Sequence, residues 1–184
     1  MAARELDRAS LGDHIDRLYR AAWALCGSRQ EAEDLVQETF VRVMARPRML
    51  RNDDDLGYLL RTLRNTFLTG LRTADRRPAT EPLDLRLELL EDNGSRAPHR
   101  AAETREVYEA IAALPPKCRD ALVAVDVIGL SYREAARALG VRAETITSRL
   151  YRARRLVAGR LQDFEAPRSL SDQLDQPAAR RRAR

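Results

Sequence analysis

Lysine is nearly missing from this chain: Lys117 is the only one, and the other basic residues among its 184 are all arginine. Aromatic side chains make up 5% of the sequence against 33% charged. One large core is therefore not expected, and small helical units with modest Leu/Val/Ala cores fit better. Cysteine and histidine are just as scarce. Cys26, Cys118, His14 and His99 include no CxxC and no pair at ligand spacing, which argues against a zinc site. Two buried, reduced thiols are the expectation. No apolar run approaches the ~18 residues of a membrane span, and the first residues lack a signal peptide's apolar stretch. A soluble, intracellular protein without membrane insertion is expected. There is no Walker loop, no carboxylate cluster at metal-site spacing and no nucleophile–base pairing, so neither catalysis nor a cofactor is expected.

What the chain does have is arginine. Basic residues exceed acidic ones by 33 to 28 and the formal net charge is +5. A guanidinium forks phosphate bidentately and stacks on bases, which suits nucleic-acid contact. An arginine-biased, GC-rich genome explains the same usage, so composition leaves both readings open.

The apolar pattern is helical throughout, with no strand-like alternation. Leu11, Ile15, Leu18, Ala22 and Leu25 share one face of a first helix, which Gly27 ends. Ser28 with Glu31 is spaced as a capping box for a second helix, whose apolar face is Ala32, Leu35, Val36, Phe40 and Val43. A third pattern starts near Asp54, carries Leu56, Leu59, Leu60, Leu63, Phe67 and Leu71, and stops before Pro78. These form a unit over residues 6–77. Residues 78–103 lose the pattern, carry acids in their first half, and read as a flexible linker with room for one helical turn at Leu83–Leu90. A second unit, 104–164, opens on Val107, Ala110, Ile111 and Leu114. Pro115 and Pro116 then break the chain before a helix lined by Cys118, Ala121, Leu122 and Val125. Residues 165–184 end in AARRRAR and read as a disordered basic arm, either simply solvated or adding non-specific DNA affinity.

The most specific local signal lies in the second unit. Ser131 and Glu134 are spaced as a capping box for a helix through Leu139, and Gly140 stands where a left-handed turn residue is needed. The helix that follows buries Ile146, Leu150, Ala153 and Val157 and leaves Glu144, Thr145, Thr147, Ser148, Arg149 and Arg152 on its outer side. Six arginines and one acid, Glu144, lie between Arg142 and Arg160. This is the layout of a helix-turn-helix whose last helix enters the major groove of DNA. Arg149 and Arg152, one turn apart, suit a phosphate or a guanine edge. In the first unit Glu31, Asp34 and Glu38 recur at i, i+3, i+7 beside Gln37, a stripe that could pair with a basic helix or simply face solvent.

AEDLVQETFVRVMARP and LPPKCRDALVAVDVIGLSYREAARALGV…TITSRLYRARRLV, in this order and joined by an irregular linker, resemble regions 2 and 4 of the extracytoplasmic-function sigma factors of bacterial RNA polymerase. The resemblance covers about residues 11–162. It implies an all-α fold of two small helical domains, region 2 and a region 4 helix-turn-helix, and a non-catalytic subunit that directs promoter recognition, DNA opening and initiation. It implies that Glu31, Asp34, Gln37 and Glu38 meet the coiled coil of the polymerase β′ clamp, with region 4 near the β flap. Tyr58, Arg61, Arg64, Asn65, Thr66, Thr69, Arg72 and Arg76 would then read the minus-ten non-template strand, with a base flipped out near Asn65. Arg77 would add a phosphate contact. Arg142, Glu144, Thr145, Thr147, Ser148, Arg149 and Arg152 would meet the minus-thirty-five duplex. An anti-sigma factor is a further implied partner. Tyr58 stands where the family usually has tryptophan, Thr69 where Asp or Asn is common, and Thr147 where Lys or Arg is frequent. Arg142 replaces the usual Ser cap. A polymerase-independent regulator is the alternative, though such proteins usually carry a dimerisation or sensing domain.

Overall fold

A computed structural model of the chain describes residues 3–5, 9–45, 49–51, 55–76 and 98–165. Helix α1 (Ile15–Cys26), entered through a 3-10 turn at Ala9–His14, stops at Gly27, whose φ of 80° is left-handed. A side chain there would be strained, and its Cβ would stand 3.0 Å from that of Ala112. α2 (Arg29–Ala45) and α3 (Asp55–Arg76) complete the first unit. The Ser28 hydroxyl accepts from the Glu31 backbone N–H at 3.5 Å, one half of the expected capping box. Strands β1 (Ala3–Glu5) and β2 (Met49–Arg51) pair antiparallel with Arg4 opposite Leu50. Three-residue strands carry too little alternation to read from sequence, so this ribbon is an addition to the all-helical expectation.

α4 spans Pro98–Ala112, so its first turn lies within the stretch read as linker. Proline at a helix's first position lacks only an N–H that would be unpaired there anyway. The helical turn proposed at Leu83–Leu90 and the basic arm after Glu165 lie outside the described residues. α5 (Pro116–Leu122) runs into a π-helical turn at Val123–Val127, α6 spans Tyr132–Leu139, and α7 spans Ala143–Glu165. In the π turn the Ile128 N–H reaches the Val123 carbonyl at 3.0 Å. This sets Asp126 to accept from two Arg154 nitrogens, at 2.7 and 3.0 Å, and ties the π turn to α7.

Most predicted apolar positions are buried, with three corrections. Ile15 and Leu71, at 47% and 45% exposed, and Val107 face out. Each lies toward an end of its stripe, where no neighbouring helix covers it. A larger correction concerns the core itself. Ala21, Ala22, Trp23, Ala24 and Leu25 are buried in succession, which one amphipathic face cannot supply. α1 is enclosed by α2 and α3 on one side and by α4 and the π turn on the other. The two units therefore share one continuous core in place of two modest ones. Trp23 stacks on Tyr108 of α4 with centroids 4.1 Å apart, while Arg29 lies over the same indole at 4.6 Å.

Candidate functional site

α2 positions the acidic stripe by turning its apolar residues inward. Ala32, Leu35, Val36 and Val43 are buried, and Thr39 joins them by donating its hydroxyl to the Leu35 carbonyl at 2.7 Å. Glu31, Asp34, Gln37 and Glu38 are all exposed, and Glu38 pairs with Arg42 at 2.7 Å. Sequence reasoning missed two members of this face. Val41 and Met44, at 59% and 48% exposed, continue the stripe seven residues beyond Asp34 and Gln37. Their i+7 register was legible. Large apolar side chains thus stand exposed among acids and an amide, the mixed composition that protein interfaces share.

On α3, Tyr58, Arg61, Asn65, Thr69 and Arg72 recur at helical spacing on the side away from Leu59, Leu60 and Leu63. Thr62, Thr66, Thr69 and Thr73 each donate a hydroxyl to the carbonyl four residues back, at 2.8–3.0 Å. Thr69 thus keeps its oxygen lone pairs for an incoming donor. Thr66 is 6% exposed and packs inward, which removes it from the face. An i+4 step from Leu59 to Leu63 and an i+3 step beyond it bring Thr66 back over the core. Arg76 is the last residue of α3, and Arg77 lies outside the described residues. Arg61 and Arg64 reach across to the second unit. The Arg61 guanidinium donates to the Arg137 and Ala138 carbonyls at 2.8 and 3.2 Å, and Arg64 pairs with Asp120 at 2.7 Å.

The helix-turn-helix forms as its residues dictate. The Ser131 hydroxyl accepts from the Glu134 N–H at 3.3 Å, and the Glu134 carboxylate accepts from the Ser131 N–H at 2.8 Å. These bonds hold the Glu134 carboxyl below its ordinary pKa. Gly140 has φ 66°, and the N–H groups of Gly140 and Val141 both go to the Ala136 carbonyl. α7 buries Ile146, Leu150 and Ala153 and leaves Val157 half-buried. Glu144, Thr147, Ser148 and Arg152 are exposed, and Thr145 and Arg149 are half-exposed. The exposed Arg142 caps α7 with its carbonyl alone, which accepts from Thr145 and Ile146. Arg149 and Arg152 have no ion pair among the described residues, whereas Arg154 is spent on Asp126. Tyr151, 65% exposed with Arg155 at 5.8 Å over its ring, extends the outer face and was missed.

Cys118 is buried and Cys26 half-buried, both as free thiols. Burial, with a smaller contribution from Glu31, pushes the Cys26 thiol up to about 12 against the opposing pull of Arg119. Among the described residues no group of His, Cys, Asp and Glu could hold a metal, and no helix is long and apolar enough to cross a membrane.

An exposed acidic helix, a polar α3 face and an arginine-bearing helix-turn-helix lie together in one helical chain, whose sequence places it among proteins of the sigma-70 type. Residues 11–77 match the family model Sigma-70 region 2, and residues 104–157 match Sigma-70, region 4. The chain is 34% identical over 166 residues to the ECF RNA polymerase sigma factor SigE of Mycolicibacterium smegmatis, covering 85% of this chain and 60% of that one. It is 34% identical over 142 residues to the ECF RNA polymerase sigma factor EcfG of Rhodopseudomonas palustris, covering 76% of each. Its fold superposes with a TM-score of 0.62 and 25% identity on the sigma factor RpoE of Bartonella quintana, solved in complex with the anti-sigma factor NepR. That match covers 84% of this chain and 96% of that one. The chain belongs to the extracytoplasmic-function sigma factors, non-catalytic subunits that direct RNA polymerase to promoters and into initiation.

Proposed function

We propose a division of labour among the three faces within that family role. The acidic and apolar face of α2 (Glu31, Asp34, Gln37, Glu38, Val41, Met44) docks on the coiled coil of the polymerase β′ clamp. The α3 face, with Tyr58, Asn65, Thr69 and Arg72 foremost and Arg61, Arg64 and Arg76 as phosphate contacts, holds the unstacked minus-ten strand. α7 reads the minus-thirty-five duplex through Thr147, Ser148, Arg149 and Arg152, flanked by Arg142, Glu144 and Thr145, and region 4 rests near the β flap. The observation that carries this reading is the exposed α2 stripe. A regulator that acts without polymerase has no use for an acidic face with Val41 and Met44 bare in its midst. The protein works in the cytoplasm, where polymerase is, and pairs with an anti-sigma factor, a reading supported by the solved relative's complex with NepR.

Run-off transcription from a genomic promoter pool with purified core polymerase tests the reading. Initiation redirected to a discrete set of promoters is expected. A chain that neither co-purifies with core nor redirects initiation is not acting as proposed.

A further inference from the structure

Glu144 is the one acidic side chain between Arg142 and Arg160. It is the second residue of α7 and stands exposed. Among the described residues its carboxylate has neither a hydrogen bond nor an ion pair. The hydroxyls nearest along the helix are turned to the backbone instead. Thr147 donates to the Ala143 carbonyl at 3.2 Å, and Ser148 donates to the Thr145 carbonyl at 3.1 Å. Glu144, Ser148 and Arg152 follow at i, i+4 and i+8, on the side of α7 away from the buried Ile146, Leu150 and Ala153. A recognition helix in the major groove turns this outer ridge to the base edges, with its N-terminal residues reaching them. A carboxylate has few acceptable neighbours there. Phosphates repel it, as do the N7 and O6 acceptors of guanine and the O4 of thymine. Adenine sets an acceptor beside its amino group, whereas cytosine offers the N4 amino donor alone.

We propose that Glu144 is a specificity-determining residue of the minus-thirty-five contact, accepting from the N4 amino group of a cytosine and turning away guanine and thymine at that position. The inference rests on reading α7 as the helix that enters the minus-thirty-five duplex. The arginines around Glu144 attract every sequence, because every sequence carries phosphates. Glu144 subtracts from that attraction unless a base amino group meets it. It therefore lowers affinity for unmatched DNA more than for the matched site, which is discrimination by repulsion.

The test is a binding-site selection with the full chain on core polymerase. The duplex library is randomised across the minus-thirty-five element, upstream of the minus-ten sequence of one promoter recovered by run-off, and the bound DNA is sequenced. Wild type should favour cytosine over thymine at one position by at least about fivefold, the lower end for a side chain that reads a base. Glu144→Gln should move that preference to adenine, whose N6 and N7 a glutamine amide bridges. Glu144→Ala should flatten it and bind the unselected library more tightly. The carboxylate has no partner to lose, so both variants should keep the helical circular dichroism of wild type. Arg149→Ala is the control and should alter other positions. A profile that changes with Arg149→Ala and not with Glu144→Gln overturns the inference while the assignment of α7 stands. The same result is expected if Glu144 only complements the dipole at the start of α7. Profiles that neither substitution alters would sink the assignment of α7, and the role of Glu144 with it.

Discussion

At the level of single residues, the structure turns on groups whose surroundings decide their chemistry. Ser131 and Glu134 satisfy two backbone N–H groups at the entry of α6. Ser131→Ala should lower stability by about 1 kcal/mol, read as a lower melting temperature. The Glu134 carboxyl is held below its ordinary pKa, so the stability it contributes is present above the unfolded carboxylate value and is lost as pH falls through the folded one. The gap between wild type and Ser131→Ala should accordingly narrow below about pH 4. Cys26 has the opposite sign. Its thiol is raised from 9.0 to about 12, so its contribution is complete below the unfolded value and is lost as pH rises through the folded one. Iodoacetamide at about pH 8 should label it slowly in the native chain and quickly after unfolding. Fast native labelling would mark it as a reactive thiol.

At the level of elements, α2, α3 and α7 each divide into a face buried in the core and a face left exposed. Charge reversal at both Asp34 and Glu38 should weaken core binding at least tenfold while leaving helix content unchanged. The only contact among the described residues lost with Glu38 is its exposed pair with Arg42, worth about 0.3–0.5 kcal/mol. Arg149→Ala should do the reverse, costing about 1–3 kcal/mol in minus-thirty-five recognition while core binding stays intact. Loss of core binding in that variant would contradict the separation of roles. The π-helical turn belongs to this scale too. One extra residue per turn at Val123–Val127 lets Asp126 fork Arg154, which withdraws that arginine from the cations open to DNA. The arginine count between Arg142 and Arg160 was legible, but which of them are already engaged was not.

At the level of the whole molecule, the two units are closed on each other through α1. Gly27 and Ala112 meet where the ends of α1 and α4 touch, and a Cβ on Gly27 would stand 3.0 Å from that of Ala112 at a left-handed φ of 80°. Gly27→Ala should thus cost more than about 1 kcal/mol and loosen the contact between units. A fall in melting temperature with a larger radius of gyration would show both effects; an unchanged radius would show that the strain is absorbed locally.

The amino-acid order by itself determined what depends on neighbours a few residues away. Helix periods, the Ser131–Glu134 cap, the left-handed glycines, the acidic register of α2 and the outer face of α7 all follow from a repeat of about 3.6 residues and local hydrogen bonds. Only the tertiary structure decided which polar groups are already taken. That one core replaces two, and that Arg61 and Arg64 bind Arg137, Ala138 and Asp120, depend on surfaces far apart in the chain, 56 to 77 residues for those two arginines. No periodicity records such a meeting, because an arginine has the same helical spacing whether it awaits a phosphate or already holds a carboxylate.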